Sequence, residues 1–159
     1  MSAARTPNRT AMRTKSKTLA TWLAVLTGGL GGHRFYLHGL GDRWGWLHPL
    51  PTLLGAVGVQ RVLAYGQDDH LAWLLLPLGG LAIVAGMISA LVYGLSSDEQ
   101  WNARHNAHAA PCGAAGWPAV FGVIAGLFLG ALVLISVISF GLQRYFEWQQ
   151  EPAAIVSSR

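Results

Sequence analysis

Residues 28–39, with the sequence GGLGGHRFYLHG, separate two apolar stretches and decide how the first half of the chain folds. The stretch before them lacks charged residues from Thr18 to Gly32, which is short of the roughly 20 residues that a membrane-spanning helix needs. We expect the helix to continue through Leu37, which brings it to spanning length. His33 and Arg34 would then lie near the membrane surface, where an arginine side chain reaches water.

The second apolar stretch runs over residues 44–64 and begins with two tryptophans. Residues 39–43 between the two stretches form a glycine-rich, polar turn that ends in Asp42 and Arg43. Pro49 and Pro51 interrupt helical hydrogen bonding, so a kinked or partly re-entrant helix is expected. The sequence thus predicts a helical hairpin over residues 18–64, with Arg34 paired to Asp42.

The hairpin resembles the two-transmembrane (TM-two) domain family over about residues 15–60. The resemblance is carried by KSKTLA at residues 15–20, the glycine-rich turn and HRFYL at residues 33–37. The chain departs from the family pattern at His33, where many members have Asp, and at His38, inserted before Gly39. The resemblance implies two closely linked membrane helices. We expect interactions of this hairpin to use Gly28, Gly32, Arg34, Phe35 and Tyr36.

Composition extends the membrane prediction to the rest of the chain. Of the 159 residues 52% are apolar and 11% charged, whereas about 25% are charged in typical soluble domains. Residues 71–97 and 105–143 contain no Asp, Glu, Lys or Arg. These stretches predict a third helix over 71–95 and a fourth over 117–142, each long enough to span.

The predicted fold is all-α, a polytopic integral membrane protein with about four transmembrane helices in two hairpins. Its segments are a basic cytoplasmic tail (1–17), the hairpin (18–64), a connection with the third helix (65–95), a polar loop with a short helix (96–116), the fourth helix (117–143) and a C-terminal tail (144–159).

Basic residues predict the orientation. With four spans both termini share a side, which then carries eight basic residues against three on the other side. The positive-inside rule places the termini in the cytoplasm and the Arg34 and Trp101 loops outside, and we expect the bacterial cytoplasmic (inner) membrane. The basic tail lacks aromatic residues and precedes an apolar helix, which favours anionic lipid over nucleic acid as its partner. The eight are Arg5, Arg9, Arg13, Lys15, Lys17, Arg61, Arg144 and Arg159; the three are Arg34, Arg43 and Arg104.

Small residues recur at intervals of four on two predicted helices. Gly122, Gly126 and Gly130 line one face of the last helix, and Ala82, Gly86 and Ala90 form a weaker stripe on the third. Such faces let helix backbones approach closely in lipid, where van der Waals contact replaces the hydrophobic drive. The stripes serve contacts within one chain or between identical chains, and both alternatives stay open.

Two sets of potential ligands have plainer interpretations. His105, His108 and Cys112 have a spacing that could supply three metal ligands, but Pro111 interrupts any helix there and no fourth ligand is evident. His33, His38 and His48 surround the first hairpin and could mark a proton path, yet an interfacial histidine needs no function. We expect neither a metal site nor a cofactor.

No phosphate-binding loop, nucleophile elbow or paired His-Glu metalloprotease motif occurs, so we do not expect an enzyme. The expected role is that of a structural or protein-interaction module that associates with itself or with another membrane protein. The alternative is a small transporter or channel component, in which the segment around Pro49 and Pro51 and its nearby histidines line a path.

Overall fold

The computed structural model describes residues 14–157, with side-chain environments through residue 150, and helices are the only regular secondary structure in this part of the chain. Most of the predicted basic tail lies outside the described residues. The helices are α1 (Lys17–Thr27), followed by a 3₁₀ turn (Gly28–Leu30), α2 (Gly32–His38), α3 (Arg43–Leu47), α4 (Pro49–Tyr65), α5 (His70–Leu95), α6 (Asp98–His105) and α7 (Gly116–Ser157).

Short polar side chains set where several helices begin. The side chains of Ser16, Asp42, Asp69 and Ser97 each accept a hydrogen bond from a backbone N–H in the first turn of α1, α3, α5 and α6 respectively. Each satisfies a donor that the helix itself leaves free. Pro49 occupies the first position of α4, where the missing N–H costs nothing.

Among the described residues, two helices are long and apolar enough to cross a membrane: α5 over His70–Leu95 and α7 over Gly116–Gln150. The third and fourth helices predicted from the sequence therefore form, and each begins within one residue of its predicted start. The polar segment before α7 also contains the short helix predicted there, α6. The helix that begins at Gly116 continues well past Leu142, the predicted end of the apolar part.

The predicted continuous first helix through Leu37 is wrong. Helix α1 ends before Gly28. The chain then turns and runs back as α2 alongside α1. The return is fixed by contacts at the start of α1: Ser16 N–H donates to the Tyr36 hydroxyl at 2.8 Å, and the Lys15 ammonium donates to the Leu37 carbonyl. Leu37 packs against Ala20 and Trp101 in a small buried cluster. Residues 17–38 therefore form a short helical hairpin that comes back to its starting level.

The structure places α1 and α4 one after the other along α5. Gly28, after α1, contacts Gly86 in the second half of α5, whereas Gly55 of α4 contacts Gly79 in its first half. α1 has 11 residues and α4 has 17, so together they rise about 42 Å, close to the roughly 39 Å of α5. We call α1 and α4 the split column.

The bundle has two polar ends. The Lys17 end gathers Lys17, Tyr36, Ser96 and α6, where Lys17 pairs with Asp98 at 2.5 Å and donates to the Ser96 carbonyl at 2.9 Å. The Arg144 end gathers residues 65–70 and Arg144, which donates to the Gln67 side chain at 2.8 Å and pairs with Glu147 at 2.6 Å.

The expected separation of the Lys15 segment from the Trp101 loop across the membrane is also wrong. Lys15 N–H donates to the Asn106 side chain at 2.8 Å, and the Lys15 carbonyl accepts from the Trp101 indole at 2.8 Å. Residues this close lie on one side of any bilayer, so the start of α1 and the loop after α6 share an end.

Candidate functional site

The break between α1 and α2 is a compact turn beside the interior of α5. Gly31 adopts a φ of 74°, in the left-handed region that favours glycine, and its N–H donates to the Gly28 carbonyl at 3.1 Å. The Gly29 carbonyl, freed from helical bonding, accepts from the Thr52 hydroxyl at 2.5 Å. Gly28 and Gly31 are both buried, so neighbouring parts of the chain cover this non-helical backbone.

Backbone-to-backbone contact holds the turn against α5. A Cβ atom added to Gly28 would lie 2.6 Å from the Gly86 Cα, and one added to Gly86 would lie 2.5 Å from the Gly28 Cα. Such distances leave no room for any side chain at either position. The predicted stripe residue Gly86 therefore packs against the break.

A buried histidine follows the break. His33 is only 1% exposed, and its Nδ1 has no hydrogen-bond partner among the described residues. Its ring lies 5.7 Å from that of His48, edge-on, and 5.7 Å from that of Tyr93. A buried polar atom without a partner is uncommon and points to a functional or solvent-filled position.

The rings continue from His33 towards the Lys17 end. Tyr93 lies 5.8 Å from Trp101, and Trp101 lies 4.3 Å from His105, each measured between ring centroids. We call His48, His33, Tyr93, Trp101 and His105 the ring path. It joins the break in the split column to α6 through His48, which lies between α3 and α4, and through side chains of three helices, α2, α5 and α6.

A cavity of about 460 Å³ lies at the outer end of the ring path, between the last turn of α5 and α6. Tyr93, Trp101 and His105 line it together with Arg104. Burial lowers the pKa of His105, and the positive charges of Lys15, Arg104 and His38 lower it further. Positive side chains, among them the cavity-lining Arg104, therefore lie close to His105.

Of the predicted hairpin residues, Gly28 is buried and the other four are half-buried. Arg34 pairs with Asp42 as predicted, with its Nε 2.8 Å from a carboxylate oxygen, and this hydrogen bond lowers the pKa of Asp42. Phe35 packs against Gly45 and against the Trp46 ring at 5.1 Å. Tyr36 is held by Ser16, and Gly32 lies against the Thr27 side chain. All five hairpin positions thus make contacts within the chain.

The glycine stripe of α7 faces the rest of the same chain. A Cβ on Gly122 would meet Thr21 at 2.8 Å, one on Gly126 would meet Ala90 at 3.3 Å, and one on Gly130 would meet Met87 at 2.9 Å. All three glycines are buried. Of the two alternatives left by the sequence, the contacts described here lie within one chain.

The possible metal ligands His105, His108 and Cys112, at the end of α6 and in the loop after it, do not converge. Within residues 14–150 no three His, Cys, Asp or Glu side chains are arranged to hold a metal ion. His105 stacks on Trp101, while the Cys112 N–H donates to the Asn102 side chain at 2.8 Å. The loop is organised by Asn102 and by the buried Asn106.

Sequence reasoning missed two parts of this arrangement. It overlooked the contact between Gly55 and Gly79, where an added Cβ would lie 2.5 Å from the opposite Cα. It also missed that Tyr93 and Trp101 connect His33 to His105. The spacing of Gly55 and Gly58 on α4 was a usable signal for the first, whereas no local pattern signals the second.

Comparison with models of known protein families, with curated proteins and with solved structures finds no match for this chain.

Proposed function

We propose that this chain is an integral membrane protein that crosses the bilayer three times, with the split column, α5 and α7 as the crossings. The four crossings predicted from the sequence become three because α1 and α4 are stacked, while α2 returns to the level of Ser16. The two termini then lie on opposite sides. The resemblance to the two-transmembrane domain family favours a membrane location for residues 15–60, although it implies two membrane helices where the split column makes one crossing.

Basic residues also favour this topology. The Lys17 end carries Lys15, Lys17, Arg34, Arg43 and Arg104, and the tail adds Arg5, Arg9 and Arg13. The Arg144 end carries Arg61 and Arg144, and the C-terminal segment adds Arg159. The Lys17 side thus has eight basic residues and the Arg144 side has three. By the positive-inside rule, this difference places the Lys17 end in the cytoplasm. The basic tail then meets anionic lipid of the inner leaflet, in a bacterial cytoplasmic membrane.

We infer that the chain acts as a small structural or protein-interaction module, without a catalytic step. The observation that carries this inference is the outward face of α7, where the large apolar side chains Phe121, Phe128 and Ile135 repeat every seven residues and are each more than half exposed. Because the glycines face inward, lipid or a partner helix meets this face of large side chains. The glycine faces proposed from the sequence are already occupied.

A photo-crosslinking amino acid at Phe128 tests the module function in native membranes. We expect a discrete protein adduct that also forms from Ile135, one heptad further along the same face. An adduct of twice the chain mass identifies a second copy, and another mass identifies a different membrane protein. The buried Ala119 is the matched control position, where only internal links are expected. Lipid adducts alone from both exposed positions would contradict an interaction role.

The alternative function is that of a small transporter or channel component, and the ring path favours it specifically. Broken helices with unwound backbone near the bilayer centre form binding sites in many transporters. Here the break adjoins His33, whose Nδ1 is buried and unpartnered among the described residues. A proton held by His33 or His48 would lie between the break and the cavity beside α6.

Proton flux in reconstituted vesicles tests the alternative. If it holds, His33→Ala and His48→Ala should each abolish flux, whereas His108→Ala, in the exposed loop outside the ring path, should leave flux unchanged. Absence of flux from the parent protein, together with adducts from Phe128, would leave the interaction module as the function.

A further inference from the structure

The cavity between α5 and α6 combines two kinds of surface. Val92, Tyr93 and Trp101 supply apolar and aromatic walls, and Gln100, Arg104 and His105 supply polar groups. It lies where α5 ends and the polar helix α6 begins, so under the proposed topology it opens at the membrane surface. Aromatic rings beside cationic side chains at this depth suit a molecule that is itself part apolar and part charged.

The positive charge of Arg104 favours an anionic ligand for this cavity. Lys17 is neutralised by Asp98, and Arg34 by Asp42, but within residues 14–150 Arg104 has no carboxylate partner. The other acidic residue of α6, Glu99, does not line the cavity. The exposed guanidinium of Arg104 lies beside the polar side chains of Gln100 and His105. This arrangement fits a phosphate group, which the guanidinium can bind through two parallel hydrogen bonds.

We propose that this cavity binds the phosphate group of an anionic membrane phospholipid, with Arg104 as its cation and Tyr93 and Trp101 beside the glycerol and upper acyl region. The proposal depends on the membrane location proposed above. The volume of about 460 Å³ accommodates a headgroup but not two acyl chains, so the chains would extend along Val92 towards the exposed side of α5.

Native mass spectrometry of the full chain in detergent tests the proposal with phosphatidylglycerol as the probe. Resistance of the parent protein to alkaline extraction from membranes is checked first, so that failure of the membrane location is recognised separately. We expect one phosphatidylglycerol to bind in preference to phosphatidylcholine. Arg104→Gln should weaken this binding roughly tenfold or more, as expected for loss of a charged hydrogen-bond donor. Arg43→Gln, an equal charge change at an exposed site outside the cavity, should have no effect.

A second pair of variants tests whether lipid binding needs the volume of the cavity, without changing its charge. Ala103 lines the cavity, so Ala103→Trp should fill it and block the lipid, whereas Ala107→Trp, in the exposed loop beyond α6, should not. The pKa of His105, followed by nuclear magnetic resonance, should rise when the lipid binds because the anion offsets the nearby positive charge of Arg104.

Equal lipid binding by the parent, Arg104→Gln and Ala103→Trp would overturn the proposal. Binding of inorganic phosphate with the same dependence on Arg104, but no binding of phosphatidylglycerol, would assign the cavity to a soluble anion and overturn its assignment to lipid.

Discussion

The split column and α7 both run the length of the bundle, but they are stabilised in opposite ways. The split column is broken at Gly28, and its pieces press their backbone directly on α5 at Gly28 and Gly55. α7 is an unbroken helix that lies against α1 and α5 along a stripe of small residues. Only 11% of its most apolar stretch is buried. A continuous helix satisfies its own backbone, whereas a broken one requires neighbours to satisfy and cover the break.

This comparison indicates where the fold is intolerant of change. Around the break, two glycines meet backbone to backbone, and neither backbone can move aside without disturbing a whole helix. Along α7, glycines meet side chains of Thr21, Ala90 and Met87, some of which can adjust. Substitutions that are chemically identical should therefore have different costs in the two regions.

The largest effect is expected from Gly28→Ala. The new Cβ would lie 2.6 Å from the Gly86 Cα, and φ at Gly28 is −59°, so the cost comes from overlap and not from backbone strain. We expect the free energy of unfolding in detergent to fall by about 3 kcal/mol, the upper range for overpacking. Gly41→Ala is the control, because a Cβ there has nothing within 4 Å. Equal stability of the two variants would show that the break does not press on α5.

A smaller effect is expected from Gly126→Ala on α7. Its Cβ would lie 3.3 Å from the Ala90 Cβ, a tight contact that a small shift relieves. Alanine also favours helix over glycine by about 1 kcal/mol, which offsets part of the crowding. We expect the unfolding free energy to change by less than about 1 kcal/mol. Gly126→Ile should cost more, while Leu129→Ile, on the exposed side, should be nearly silent. A loss for Gly126→Ala as large as that for Gly28→Ala would remove the distinction between the two regions.

The smallest effect concerns the ion pair that fastens the start of the split column. The hydrogen bond from Lys17 holds the pKa of Asp98 below its ordinary value of 3.8. The pair therefore stabilises the fold above about pH 4, and its contribution is lost as the pH falls through the lowered pKa. Asp98→Asn should lower the melting temperature by about 1 to 2 °C at pH 7 and remove this part of the acid dependence. An unchanged acid-unfolding profile would show that the pair contributes nothing.

The parts of the fold that the sequence predicts are those governed by local pattern. Charge-free length predicts α5 and the beginning of α7, and the short helix predicted within the polar loop 96–116 forms as α6. The pairing of Arg34 with Asp42 was also predicted, because both flank one short turn. Each of these features depends on residues close together in the chain.

The return of α2 was not predicted, because its cause is not local. HRFYL reads equally well as the end of a spanning helix or as a returning one. The direction is decided by the contact of Gly28 with Gly86 and by the reach of Tyr36 to Ser16, which join distant or opposed segments. The charge-free length of the first stretch, too short for a span, was the sequence signal for a partial crossing. The ring path depends on the same tertiary arrangement and could not be predicted either.

The side of the membrane on which each end lies tests the account most directly. Cys112 is the single cysteine, so it can be labelled in the parent, and Ser2→Cys and Gln149→Cys can each be labelled after Cys112→Ala. With three crossings, an impermeant thiol reagent added to intact cells should label Gln149→Cys and leave both Cys112 and Ser2→Cys unlabelled until the membrane is opened. Labelling of Cys112 from outside, with Ser2→Cys and Gln149→Cys both protected, would mean four crossings and would contradict the split column.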